Sequence, residues 1–151
     1  MGTSVNEVYD LFSQTITDYR LIALFDTSES DFENYLQSFL EFAITDFKNC
    51  DQSLNYDDIT KEFPDVLSRE NKNILAHLMM KYWMQKNVND ITQMNLHVTD
   101  RDFKIASEAL NLREKTAQLN AVKEQCSQML IDYGYSRINW TNWINQDFMG
   151  V

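Results

Sequence analysis

From Thr99 to Tyr133 the chain runs about 35 residues without a glycine or a proline. A strand that long would need turns, and none is available, so the spacing predicts one long helix. At about 1.5 Å per residue it spans roughly 50 Å, more than a small bundle can cover. Thr99 is placed as its N-cap with Asp102 three residues on, and Val98 and Phe103 take the flanking staple positions. Gly134 stands where a C-cap belongs. Ile105, Ala109, Leu112, Thr116, Leu119, Cys126, Leu130 and Tyr133 advance in threes and fours, interrupted at Lys123. That interruption argues against an extended two-stranded coiled coil.

The rest of the chain supplies shorter helices to pack on this one. Ser4 and Glu7 have capping-box spacing, and Val5, Val8, Tyr9, Phe12, Ile16 and Tyr19 form an amphipathic stripe. Leu21–Phe25 continues that helix before small polar residues break it. A second helix starts near Ser28 or Ser30, where Ser30 and Glu33 repeat the capping-box spacing and Asp31 suits the helix dipole, and it carries Phe32, Tyr35, Leu36, Phe39, Leu40, Ala43, Ile44 and Phe47 on one wide face. A third opens at Ser68 with Ile74, Leu75, Leu78, Met79, Tyr82 and Trp83 inward, and Ala76 permits close approach of a neighbour. From Lys86 the pattern weakens into a short or bent continuation ending near Leu96.

Between these helices, residues 48–67 lose periodicity around Pro64, the sole proline. Leu54, Tyr56, Ile59, Phe63 and Val66 are read as pins holding a loop to the core, with room for a short strand or helical turn. The expected architecture is all-α: a bundle of about four helices over 1–134 and an aromatic C-terminal tail over 135–151. With one proline and three glycines in 151 residues, a many-stranded sandwich or barrel lacks its turns.

Charge narrows the function classes. The net charge is −10. Residues 1–68 hold 14 acidic and 3 basic side chains, net −11, and the remainder is close to neutral. A protein gripping nucleic acid through phosphates needs a basic face, so sequence-specific DNA or RNA binding is not expected. An acidic wall along which DNA slides without adhering remains compatible with this balance, as does simple solubility. No stretch of eighteen or more apolar residues occurs, so no membrane partner is expected. Cys50 and Cys126 stand alone, and reduced thiols in a cytoplasmic protein are the default reading.

Catalytic chemistry has no visible seat. The chain lacks a phosphate-cradling glycine loop and any His-Glu pair at helical metal-ligand spacing. His77 and His97 are the only histidines, and no triad can be built on them. The carboxylate pairs Asp57–Asp58 and Asp100–Asp102 read as solvated caps and loop acids. The expectation is a non-enzymatic protein with no catalytic residue, cofactor or metal.

Three stretches carry a resemblance. Leu75 to Trp83 reads L-A-x-L-M-x-x-x-W, Asp90 to Met94 reads D-I-T-Q-M, and Asp102 to Ala109 reads D-F-K-x-x-S-E-A before the long helix. Together with that helix they resemble the head–tail connector proteins of tailed bacteriophages, also called adaptor or head-completion proteins. The resemblance covers the second half of the chain firmly and the first two helices loosely. It implies a virion neck protein, made in the bacterial host cytoplasm and assembled as a ring, usually of twelve copies. Such a ring joins the portal on one side to stopper or tail-completion proteins on the other, and DNA passes through its lumen. The family's C-terminal segment reaches into the portal. Carried over here, Tyr135, Arg137, Trp140, Trp143 and Phe148 become the partner-binding residues. The residues by themselves equally accommodate a soluble regulatory or scaffolding bundle whose aromatic tail completes its own core.

Overall fold

The computed structural model describes residues 2–16, 19–97 and 102–138, with backbone alone at 19–20, 94–97 and 102–108. The described residues form five helices and one two-stranded ribbon: β1 (Thr3–Ser4), α1 (Val5–Thr15), α2 (Tyr19–Thr27), α3 (Glu29–Asp46), β2 (Glu62–Phe63), α4 (Arg69–His97) and α5 (Asp102–Ser136). The all-α expectation holds, with one helix more than the four anticipated. Leu21 to Phe25 belong to the separate α2 rather than to a continuation of α1.

Each observed start has a local cause. The Ser4 hydroxyl accepts from the Asn6 amide at 3.3 Å and caps α1. Glu7 does not complete the capping box; its carboxylate meets Lys72 Nζ on α4 at 2.9 Å. Ser28 caps α3 by accepting from the Asp31 amide, and Ser68 accepts from the Asn71 amide at the head of α4. The region from Lys86 onward is no separate piece, since α4 runs unbroken to His97. Val98 and Thr99 lie outside the described residues, as do the side chains of Asp102 and Phe103, so the N-terminal cap and staple expected there are not seen.

α4 is the central element and packs against α1, α3 and α5, while α2 packs on α3. Its inner face, Asn71, Ile74, Leu75, Ala76, Leu78 and Met79, is buried. Val5, Val8 and Phe12 of α1, Leu36, Phe39, Leu40 and Ala43 of α3, and Cys126 and Tyr133 of α5 close around it. Burying one such leucine or phenylalanine contributes about 1.5–3 kcal/mol, so this cluster is where the fold's stability resides. The expected stripes of α3 and α4 face it, and so does the first stripe through Ile16; Tyr19 begins α2 and its side chain lies outside the described residues. The α5 seam faces it only toward the C-terminus. Leu119, Cys126 and Tyr133 are buried, whereas Ala109 and Thr116 are exposed. Near Lys123 the packing passes to Val122 and Met129, which rest against the core.

α4 and α5 run antiparallel: Arg137 meets Glu70, Cys126 bonds to the His77 carbonyl, and Lys115 lies by Val88. Their pairing brings the end of the long helix back beside the start of α4.

The 47–68 segment is pinned by Leu54, Phe63 and Leu67, all buried, and by partly buried Tyr56. Ile59 and Val66 are not pins; they are 92% and 71% exposed. Asp57 turns the chain by accepting from the Ile59 and Thr60 amides, which leaves Ile59 at the tip. Lys61 follows with φ of 54°, an unusual left-handed conformation for a residue with a side chain. Beyond it, Glu62 and Phe63 pair antiparallel with Ser4 and Thr3.

Candidate functional site

The polar side chains converge most densely where α5 ends. Tyr133 is 1% exposed, its ring edge-on to Phe47 at 4.9 Å between centroids. Its hydroxyl donates to Asp51 Oδ1 and accepts from the Asp51 amide at 3.0 Å. Asn71 Nδ2 donates to Asp51 Oδ1 at 3.0 Å and to Gln52 Oε1 at 2.8 Å. Gln52 in turn accepts from the Ser68 amide and donates to the Val66 carbonyl, tying the irregular segment to the head of α4.

Arg137 closes the node. Its Nε donates to Asp51 Oδ2 at 3.0 Å, Nη2 to Glu70 Oε2 at 3.3 Å, and Nη1 to the Ser136 hydroxyl at 3.0 Å. The guanidinium lies over the Tyr133 ring, 4.2 Å from its centroid. Planar charge, fork geometry and ring stacking are what arginine supplies and lysine does not. Hydrogen bonds from Tyr133, then Asn71, then Arg137 hold the Asp51 carboxyl down at about 2. Burial pushes the Tyr133 hydroxyl above its ordinary range. The node is therefore a neutral phenol bonded to an ionised carboxylate.

Among the expected partner-binding residues, the structure thus engages Arg137 within the chain itself. Tyr135 is 58% exposed on the last turn of α5. Trp140, Trp143 and Phe148 lie outside the described residues. Gly134, expected as a C-cap, sits inside α5, which continues to Ser136 and closes with Arg137 and Ile138 amides bonding to the Gly134 and Tyr135 carbonyls. The helix passes its glycine because Tyr133 and Arg137 secure the next turn by tertiary contacts.

No protein-family model, curated protein or solved structure matches this chain.

A second node joins α3 to α4. Lys81 Nζ and the Tyr82 hydroxyl both donate to Asp46 Oδ2, Lys81 also stands 4.4 Å over the Tyr82 ring, and Phe42 stacks on Tyr82 at 5.0 Å. Desolvation pulls the Lys81 amine down, but Asp46 outweighs it and the net shift is upward. This is a charged staple between helices. Cys50 and Cys126 are free thiols, both pushed up by burial. Among the described residues no three His, Cys, Asp or Glu side chains gather to hold a metal, and no helix is long and apolar enough to cross a membrane. His77 is accounted for by a bond between its Nδ1 and the Asn73 carbonyl oxygen.

The nodes escaped sequence reading because their members lie far apart. Asp51 and Arg137 are 86 residues from each other. Tyr133 is legible only as a seam position, and Asn71 only as a polar residue near a cap.

Proposed function

We propose that this protein is a non-enzymatic neck component of a tailed-bacteriophage virion, a connector binding the portal through its C-terminal segment. The proposal rests on the resemblance carried by Leu75–Trp83, Asp90–Met94 and Asp102–Ala109. One observation supports it most. The end of α5 is fastened to the body by Tyr133 and Arg137, so the aromatic stretch beyond residue 138 departs from a fixed point. A segment that docks into a neighbouring protein loses less freedom when its root is already held.

In this reading copies of the chain form a ring about the DNA channel, with the portal on one side and stopper or tail-completion proteins on the other. Trp140, Trp143 and Phe148 supply the anchoring rings, as large aromatics do in many interfaces. Tyr135 flanks them, and Arg137 serves as the root rather than the contact. The acidic first half keeps DNA from adhering to the assembled surface.

The test is to delete residues 140–151 and measure binding to the portal protein of the same phage. The truncated chain is expected to melt within a few degrees of the full chain and to lose portal binding. Retained portal binding overturns the proposal. A fall in Tm of many degrees instead favours a self-contained bundle whose tail completes its own core.

A further inference from the structure

The last two turns of α5 present apolar side chains to both sides. Tyr133 is buried against Phe47, whereas Ile131 and Tyr135, two positions before and after it, point away from the core and are 50% and 58% exposed. Ile131, Gly134 and Tyr135 share one helix face at i, i+3 and i+4, and the closing turn adds Ile138, 43% exposed, just beyond them. Asp132 and Arg137 are the only charged residues from 131 to 138, and both are engaged within the chain. Asp132 accepts from Gln128 Nε2 at 2.7 Å, and Arg137 belongs to the Asp51 node. Covering this face strands no unpaired charge.

The independent observation is Gly134. It lies inside α5, its φ is not positive, and a Cβ added to it would meet nothing within 4 Å. Glycine weakens a helix interior relative to alanine, yet neither backbone conformation nor packing among the described residues requires one here. What a glycine on an open helix face provides is room for a second backbone to come close. The size of the face narrows what that backbone belongs to. Three half-exposed side chains offer a few hundred Å² per copy, short of the roughly 800 Å² that each partner of a stable pair buries. A second copy alone would therefore be held too weakly. The face instead adjoins the stretch beyond residue 138 that the portal reading gives to a partner, and the Tyr133–Arg137 node holds both at one fixed place.

We propose that the face formed by Ile131, Gly134, Tyr135 and Ile138 is the first part of the portal contact, receiving an apolar helix of the portal that crosses α5 close to Gly134. The inference rests on the portal reading and extends it from the stretch beyond residue 138 onto the folded helix. Ile131 and Ile138 flank the crossing, the glycine lets the two backbones approach, and the Tyr135 ring supplies most of the area. Anchors at helical spacing are how one amphipathic helix seats against another apolar surface.

The experiment measures binding of the full chain to the portal protein of the same phage, with Tm recorded for every variant. I131Q/I138Q is expected to weaken portal binding about tenfold or more, the loss of two apolar anchors, and to melt within a few degrees of the parent. I59Q, at the exposed tip of the 47–68 segment, is expected to bind as the parent does. G134A is expected to melt higher than the parent and to bind the portal less well, because its methyl group fills the approach. Parent-like binding by I131Q/I138Q, or equal weakening by I59Q, overturns the face. Parent-like binding by G134A overturns the close approach of a helix. Deletion of residues 140–151 keeps the two failures apart. If it abolishes binding while I131Q/I138Q binds as the parent does, the portal reading stands and this inference falls; the reverse pattern overturns only the role of the C-terminal segment. A dimer of the free chain in sedimentation, lost in I131Q/I138Q, would give the face to a second copy and overturn the portal as its occupant.

Discussion

Tyr133 shows how much one hydroxyl can organise. It sits at the end of a long helix, yet its oxygen serves a loop residue more than eighty positions earlier. Removing it in Y133F keeps the ring against Phe47 but leaves Asp51 with one bond fewer and its amide without an acceptor. The expected cost is about 1–3 kcal/mol, read as a Tm lower by roughly 2–4 °C for each kcal/mol. The same carboxylate gives a pH signature. Its pKa is ordinarily 3.8 and about 2 in the fold, so its contribution is complete above pH 4. That contribution declines as the pH falls from about 4 through about 2. In D51N this part of the acid limb should be missing, so the Tm difference between parent and D51N should shrink over that window. A constant difference from pH 6 to pH 2 would show that the charge of Asp51 is not what the node uses. At this scale sequence reading finds the caps Ser4 and Ser68 and narrows the start of α3 to Ser28 or Ser30, because a cap acts on residues two or three positions away. The capping-box spacing at Ser30 and Glu33 misleads, since Ser28 is the cap and Ser30 lies inside α3. Sequence reading does not find the partner of Tyr133, because nothing local encodes it.

Two glycines separate what an element needs from what it merely tolerates. Gly134 lies inside α5, and a methyl added there would meet nothing within 4 Å. Alanine is favoured over glycine in helix interiors by roughly 1 kcal/mol, so G134A should raise the Tm by a few degrees. Gly2 is the opposite case. A Cβ on it would fall 1.7 Å from the Phe63 carbonyl oxygen, and Phe63 is backbone-paired to Thr3. G2A should therefore open the β1–β2 ribbon, detectable as faster amide exchange at Thr3 and Val5, whose amides bond to Asp65 and Lys61 carbonyls. The helices themselves are legible from periodicity, since each buries one face. The ribbon is not, for two residues per strand carry no alternation to read. Its partner strand, Glu62–Phe63, falls inside residues 48–67, where the loss of helical periodicity leaves room for a short strand, whereas nothing in the sequence marks β1. The same limit explains Ile59 and Val66: apolar identity marks a candidate for burial, and turn geometry decides otherwise.

Across the whole molecule, burial along α5 is uneven, with Leu119, Cys126 and Tyr133 buried and Ala109, Leu110 and Thr116 exposed. Local stability should follow. Amide exchange is expected to be slowest between Leu119 and Tyr133 and markedly faster over 109–118, where fewer buried contacts oppose opening. Uniform protection along α5 would mean that another chain or segment covers the exposed part. The charge asymmetry belongs to this scale too, with the carboxylates of the first half unbalanced by cations. The sequence by itself determined the helical class, the long C-terminal helix, the N-caps Ser4 and Ser68 and the inward faces of α1, α3 and α4. All of these follow from interactions reaching at most a few residues along the chain. Tertiary structure alone decided that α5 runs past Gly134 and that Arg137 is bound within the fold. Those outcomes depend on which distant backbones come together, and no periodic pattern in one segment specifies the chemistry of another.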